Sequence, residues 1–499
     1  MSVPFPPTTP ALVHAAAARR PDAEALVDGD GRWTFASLRD DVVDAARAAV
    51  AAGVRPGDRV AIWAPNSAPW EIAALGLHMA GAVLVPLNTR YKGDEAAYVL
   101  DRSGARLLLT VHDCVGVDLP ALLVGRDTPL ERTVCFDDDS WGAFLDAGVE
   151  CDLPEVGEDD LSDIIFTSGT TGRPKGVMTT HGQTVGVFRE WCSIVGLEAG
   201  DRYLIATPFF HTFGYKAGFV AALDAGACAF PLAVVDVPTI LDLVPRERIT
   251  VLPATPTLFQ MLLDDPRRAD ADLSTLRLSA VGAASVPQVL VERMRAELFD
   301  TVVTGYGLTE TTGVVTMSRP SDPPSVIATS VGQALPGVDV RIADGTGEVL
   351  VRGFNVMRGY FDDDAQTAEA IDADGWLRTG DVGELDADGF LKITDRLKDM
   401  FIVGGFNAYP AEIEAALARH PTVGMAAVIG IPDERLGEVG MAFVVPRPGA
   451  AVDVDALLAW CREEMANYKV PRRVEVVAEL PLNAVGKVTK DVLRERAAR

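Results

Sequence analysis

Apolar and polar positions along this chain switch between a helical period and short unbroken apolar runs, and the order of the switches predicts its layout. An amphipathic run from Phe35 to Ala52 ends before Gly53 and Pro56. Arg59-Val-Ala-Ile-Trp63 then reads as a strand, Ala68 to Ala80 as a helix, and Ala82 to Pro86 and Ala105 to Val111 as further strands. Such alternation predicts βαβ units and a parallel sheet. The rhythm returns with strands beginning at Asp163, over Tyr203 to Ala206, Ile249 to Leu252, Leu276 to Val281 and Thr301 to Val303, while Thr207 to Tyr215 opens a helix toward Ala225. Glycines or hydroxyl residues follow the C-terminal end of each strand. Ligands of open α/β sheets bind at that edge, so these loops are expected to converge on one site. Gly116 to Asp160, with Asp137-Asp-Asp139 and Glu158-Asp-Asp160, reads as an acidic, solvated connection.

The pattern changes at Val338. Short β-like segments up to Ile393 carry the turns Asp344-Gly345, Asp374-Gly375 and Asp388-Gly389, which predict hairpins in a small β subdomain. Past Asp395-Arg-Leu-Lys-Asp399 the chain has a helix-strand alternation of its own: Pro410 to Ala418, Val423 to Ile429, Met441 to Val445 and Val454 to Met465. At 499 residues one hydrophobic core would not keep growing, so two domains are predicted, 1–395 and 396–499. The fold class is α/β: a large N-terminal domain of stacked parallel-type sheets with a β subdomain, and a small C-terminal α+β domain.

Composition, 48% hydrophobic and 23% charged, supports a large core. The formal charge of −26, without a Lys/Arg run, argues against nucleic acid or an anionic membrane as partner, so any polyphosphate must be held locally. The six cysteines are scattered without a CxxC pair, which indicates neither a zinc site nor a disulfide framework. The longest uncharged window, Ile72 to Thr89, contains His78, Pro86 and Asn88, so no membrane span is predicted. With no Lys or Arg before Arg19 to start a signal peptide, the expected location is cytoplasmic. The acidic surface suits a monomer or a homodimer alike.

The strand from Asp163 runs into Thr167-Ser-Gly-Thr-Thr-Gly-Arg-Pro-Lys175. Gly169 and Gly172 let backbone N–H groups approach an anion, Thr167, Ser168, Thr170 and Thr171 add hydroxyls, and Lys175 adds a point charge. The spacing is not that of the GK[ST] phosphate loop, because Arg173 and Pro174 separate Gly172 from Lys175. A surface turn would have the same composition, and the rest of the chain decides between them.

This loop, Pro208 to Gly214, Thr304 to Glu310, Gly375-Trp-Leu-Arg-Thr-Gly-Asp381, Asp395 to Asp399 and Pro481-Leu-Asn-Ala-Val-Gly-Lys487 together resemble the adenylate-forming superfamily of acyl-CoA synthetases, luciferases and adenylation domains, over Pro21 to Leu493. The resemblance implies an ATP-dependent ligase. A carboxylate attacks the α-phosphorus of ATP, pyrophosphate leaves, and CoA then displaces AMP. It implies phosphate contacts from Thr167 to Thr171 and Lys175, an α-phosphate contact from Thr309, and Mg²⁺ held by Glu310. Thr304, Gly305, Tyr306 and Gly307 would border the adenine, and Asp381 and Arg396 the ribose. Lys487 would bridge the substrate carboxylate and the phosphate. For the second step the small domain would rotate about Lys398, so that Gly404, Gly405 and Phe406 line the CoA channel. Asn407 stands where relatives carry Arg or Gln.

The same resemblance places His211, Phe213, Gly214, Gly282 and Ala283 around the acyl group, with His211 positioning the carboxylate or adenylate. Small residues there leave volume for a bulky acid. Lys216 is expected either on a solvated helix face or as a contact for a polar group at the far end of the substrate. Phe209 to Gly218 and Asp395 to Gly405 resemble bacterial ligases of steroid-ring catabolism, which act on the propanoate side chain of a ketone-bearing hydrindane. A medium- or long-chain fatty acyl-CoA synthetase and an acyl-AMP ligase loading a carrier protein stay open as alternatives. An amino-acid-activating domain is disfavoured, because His211 stands where those domains carry Asp.

Overall fold

The computed structural model describes residues 6–168, 174–282, 286–397, 399–403, 406–483 and 486–498, with Ser168, Arg396, Phe406 and Asn407 as backbone only. Seven strands form the sheet that positions the site, in the order Gly359–Tyr360, Pro174–Thr180, Leu161–Ser168, Val83–Pro86, Arg59–Trp63, Leu107–Thr110, Arg132–Cys135. From Leu161–Ser168 onward the neighbours are parallel, as the alternation predicts, whereas the first two join antiparallel. A second sheet runs Gly31–Thr34, Glu24–Asp28, Cys228–Pro231, Arg202–Ile205. Val251 bridges it to a third, in which Leu278–Val281 lies parallel to Thr301–Tyr306. The strand expected over Ile249 to Leu252 is reduced to that bridge.

The 116–160 segment is not only a solvated connection. Arg132–Cys135 closes the seven-stranded sheet, and helix Asp139–Asp146 buries Phe144 against it. Two buried residues in the strand and one in the helix are too few to show as a period in an acidic stretch.

Helix Phe35–Ala51 starts at Thr34, whose hydroxyl accepts from Ser37 N while Ser37 returns the bond. Its buried face, Leu38, Val42, Ala45, Ala46 and Ala49, meets helix Ala68–Met79. The approach depends on Gly76, where a Cβ would stand 2.7 Å from that of Ala45.

Residues 338–396 form a four-stranded antiparallel sheet, with Asp344-Gly345 and Asp388-Gly389 at its hairpin turns. Beyond it a five-stranded sheet within 401–476 packs helices Pro410–Leu417 and Val454–Glu464 around its own core of Phe401, Ile413, Leu417, Val428, Val444 and Leu457. The molecule is therefore a large N-terminal and a small C-terminal α/β domain. Among the described residues no helix is long and apolar enough to cross a membrane.

One buried group sets a pH dependence. Glu71, in the first turn of helix Ala68–Met79, is 1% exposed, and its Oε2 has no hydrogen-bond partner among the described residues. Burial, and then the nearby Asp28, push its carboxyl from the usual 4.5 up to about 8. Between those values the folded chain keeps a proton that the unfolded chain has lost, so this group's contribution to stability falls as pH rises. Glu71→Gln is expected to stabilise the protein above pH 8 by about 1–3 kcal/mol, the scale of an unsatisfied buried group, and to have little effect near pH 4. Denaturant unfolding at both ends of the range checks this; a gap that does not widen with pH contradicts it.

Candidate active site

The phosphate-loop candidate is flanked by two antiparallel, paired strands. Strand Leu161–Ser168 returns as Pro174–Thr180 with Thr167 opposite Lys175, so the hydroxyl and the ammonium reach one cavity from adjacent strands. Gly169, Thr170 and Thr171 lie outside the described residues, as does the side chain of Ser168. The cavity holds about 1,220 Å³.

Its polar end continues with Thr309 and Glu310, on a short turn after strand Thr301–Tyr306. Gly307 is required there, because a Cβ would fall 2.2 Å from the Gly313 carbonyl. Tyr360, which the sequence reading missed, organises this end. Its hydroxyl donates to Glu310 Oε1 at 3.1 Å, and Lys175 Nζ stands 4.9 Å from its ring centroid. Burial and the Glu310 carboxylate hold the phenol well above its ordinary pKa, so it remains a donor. Tyr360 arrives on a two-residue strand beside Pro174–Thr180, too short to leave a periodic signal.

Gly305, Tyr306 and Gly307 line the cavity. Tyr306 donates to Asp381 Oδ2 at 2.7 Å, and Asp381 pairs with Arg396 across the β subdomain. Asp381 itself is 3% exposed and lies just behind Gly380, which does line the cavity. The Arg396 side chain is outside the described atoms. Thr304 does not reach the cavity. It is 2% exposed, and its hydroxyl faces the carbonyls of Ile327 and Ser330 at 3.1 and 3.0 Å, fixing the strand under the site.

His211 stands between the polar and apolar ends. Its Nδ1 accepts from Phe213 N at 3.2 Å, so in the neutral ring the proton sits on Nε2. Burial, and then the charge of Lys487, lower its pKa to about 4, which keeps it neutral near pH 7. Lys487 lines the same cavity from the C-terminal domain, on a turn where its N–H donates to Asn483 Oδ1 at 2.9 Å. That turn docks on the large domain through Thr257, whose hydroxyl donates to Gly486 O at 3.1 Å. The neighbouring Lys490 is held by Glu414 at 2.8 Å.

The apolar end is lined by Phe188, Trp191, Phe210, Phe213, Ala217, Ala280, Val281, Val314 and Met317, with Gly282. Phe188 and Trp191 were missed. They sit three residues apart on helix His181–Val195, whose Thr180/Gln183 capping box was a readable start signal. Gly214 is not part of the lining. A Cβ there would fall 2.1 Å from Pro208 O, so this glycine allows a tight turn rather than substrate volume. Ala283, Lys398, Gly404 and Gly405 lie outside the described residues, and so does the side chain of Phe406.

Lys216 takes neither expected position. It is fully buried beneath the cavity, with Nζ 2.6 Å from Thr179 Oγ1 and 3.0 Å from Asp163 Oδ1. Ser162 and Thr179 hydroxyls each donate to Asp163 at 2.6 Å. The π-helical turn Tyr215–Val220 is buried on every side, so no polar face marked the lysine's direction. The pair ties this turn to the base of the phosphate hairpin.

Comparison with known proteins identifies the family. A family model described as AMP-binding enzyme matches residues 13–361, and one described as AMP-binding enzyme C-terminal domain matches 412–487. A propanoyl:CoA ligase for the 7a-methyl-1,5-dioxo-octahydro-1H-inden-4-yl group from Rhodococcus jostii (strain RHA1) is 51% identical, over 98% of this chain and 99% of that protein. Its namesake from Mycobacterium tuberculosis (strain ATCC 25618 / H37Rv) is 50% identical over 98% of each. The crystal structure of the anthranilate CoA ligase AuaEII with anthranoyl-AMP superposes with a TM-score of 0.91 at 26% identity, covering 99% of this chain and 98% of that one.

Removing the buried lysine tests the ion pair. Lys216→Met leaves Asp163 as a buried carboxylate without its cation and is expected to cost about 3–5 kcal/mol in denaturant unfolding, most of it recovered in Asp163→Asn/Lys216→Met. A single variant within about 1 kcal/mol of wild type contradicts the pairing.

Proposed function

Because the chain belongs to the AMP-binding enzyme family, we propose that this cavity joins CoA to a bulky acid, a ketone-bearing hydrindane that carries its carboxylate on a propanoate side chain. The chain is an AMP-forming acid:CoA ligase. Acid and ATP give acyl-AMP and pyrophosphate; the CoA thiol then attacks the acyl carbonyl, losing its proton as AMP leaves. The observation that carries the substrate reading is one continuous cavity, ring-lined and apolar at one end and lined by lysines and hydroxyls at the other, in a chain half identical over nearly its full length to two ligases named for such an acid.

The residues divide the work. Thr167, Ser168, Gly169, Thr170, Thr171 and Lys175 hold the β- and γ-phosphates, and Thr309 meets the α-phosphate, where charge builds as the carboxylate attacks. Glu310, an oxygen donor beside them, fits Mg²⁺, which when bound neutralises phosphate charge. Tyr360 aims that carboxylate. Tyr306 borders adenine, and Asp381 with Arg396 takes the ribose hydroxyls after Tyr306 gives up its bond. His211 offers an N–H at Nε2, its other nitrogen being occupied by Phe213 N, so it orients the carboxylate or adenylate as a donor rather than removing a proton. Lys487 spans carboxylate and α-phosphate. In the second step residues 396–499 rotate about Lys398, Lys487 withdraws, and Gly404, Gly405 and Phe406 line the pantetheine path, which the two glycines, without side chains, keep open. Asn407, short and neutral, makes no phosphate contact in this scheme.

The test is CoA- and Mg·ATP-dependent AMP release with a panel of acids: C8 to C16 fatty acids, aryl propenoates and a dioxo-hydrindane propanoate. The last is expected to exceed the others in kcat/KM by roughly tenfold or more. A preference for fatty acids overturns the substrate reading. Pyrophosphate exchange without AMP release assigns the second step to a carrier protein.

A further inference from the structure

The acidic segment at the far edge of the seven-stranded sheet gathers a donor set that the ligase chemistry does not use. His112 follows strand Leu107–Thr110, Cys135 ends the neighbouring strand, and Asp138 caps helix Asp139–Asp146. One donor atom from each lies within 4.8 Å of the other two. Asp137 fixes the arrangement, its two oxygens accepting from His112 N at 2.9 Å and Asp113 N at 2.8 Å.

Three features point to a bound cation. His112 Nδ1 stands 3.2 Å from Asp118 Oδ1, and a ring N–H donated to a carboxylate is the usual support of a metal-binding imidazole. In the neutral ring the opposite nitrogen, Nε2, is then an acceptor, yet it stands 3.3 Å from Asp138 Oδ2, another acceptor, while Asp138 Oδ1 is engaged by Ser140 N. That separation is the edge of a tetrahedron of nitrogen and oxygen ligands about 2.0–2.1 Å from a central ion. Finally, Cys135 is 5% exposed, and its backbone N–H and C=O both engage Ser140 Oγ, but its thiol has no hydrogen-bond partner among the described residues.

We infer that His112, Cys135 and Asp138 form a site for one divalent transition-metal ion of the zinc class, with Asp118 orienting the imidazole. The mix of thiolate, imidazole and carboxylate selects a borderline cation over Mg²⁺ or Ca²⁺. Binding replaces the thiol proton, which leaves to solvent as the sulfur–metal bond forms. The half-exposed His112 leaves room for water as a fourth ligand. Two strands, Arg59–Trp63 and Val83–Pro86, separate this site from the phosphate hairpin, so it pins the edge strand and its helix and takes no part in adenylation.

The test titrates the tag-free, chelator-treated full-length chain with Co²⁺. The expected result is saturation at about one equivalent, with the near-ultraviolet charge-transfer absorption of a thiolate–cobalt bond, displaced by Zn²⁺. Cys135→Ser is expected to lose that absorption while keeping its AMP-release activity. Asp118→Asn is expected to weaken binding about 10- to 100-fold. His112→Gln serves as the second ligand variant if Cys135→Ser folds poorly. Absence of the absorption in the native chain, or its persistence in the ligand variants, overturns the site; His112 is then an imidazolium bridging two aspartates.

Discussion

A lysine fully buried against an aspartate sets the frame for everything this molecule does. Neither charge is stable alone in a dry interior, so Lys216 and Asp163 must stay together, with Thr179 and Ser162 satisfying their remaining bonds. Asp163 lies four residues before Thr167 on one strand of the phosphate hairpin, and Thr179 four residues after Lys175 on the other. Lys216 lies five residues after His211 and beside Ala217, which lines the acyl end. One ion pair therefore ties the turn that carries His211 to the hairpin that carries Thr167 and Lys175. Reaction between two bound substrates depends on such placement, because misplacement of about 1 Å forfeits much of the advantage of proximity.

Electrostatics explain how an acidic chain handles a polyphosphate. With a net charge of −26, long-range attraction works against ATP, and affinity has to come from a few aimed groups. Lys175 and Lys487 enter the cavity from different domains, and the hairpin and the turn at Thr309 add hydroxyls. Glu310, held by Tyr360, is the carboxylate proposed to take the triphosphate's metal. His211 contributes no charge near pH 7, so beside Lys487 the cavity wall offers a neutral dipole and one cation.

Much of this was legible in the sequence. Strands that end on glycine or hydroxyl loops predicted a convergent site, and Thr167, Lys175, His211, Gly282, Tyr306, Thr309, Glu310 and Lys487 do line one cavity. Some residues were misplaced because a residue type names a chemistry but not a direction. Thr304 and Gly214 sit beside the site yet serve the backbone, and Lys216 points into the core. Tyr360 and the Arg132–Cys135 strand were lost for lack of length, since two to four residues carry no period. The His112, Cys135, Asp138 grouping was invisible because its members come from three elements and match no metal-ligand spacing.

The central claim is that two half-reactions share one acyl compartment while the C-terminal domain supplies different groups to each. Its most direct test is Lys487→Ala assayed in both half-reactions. The account predicts that acid-dependent pyrophosphate exchange falls by roughly 10²- to 10³-fold, the scale of one lost electrostatic donor, while CoA attack on synthetic acyl-AMP stays within a few-fold of wild type. Equal loss in both half-reactions would contradict it.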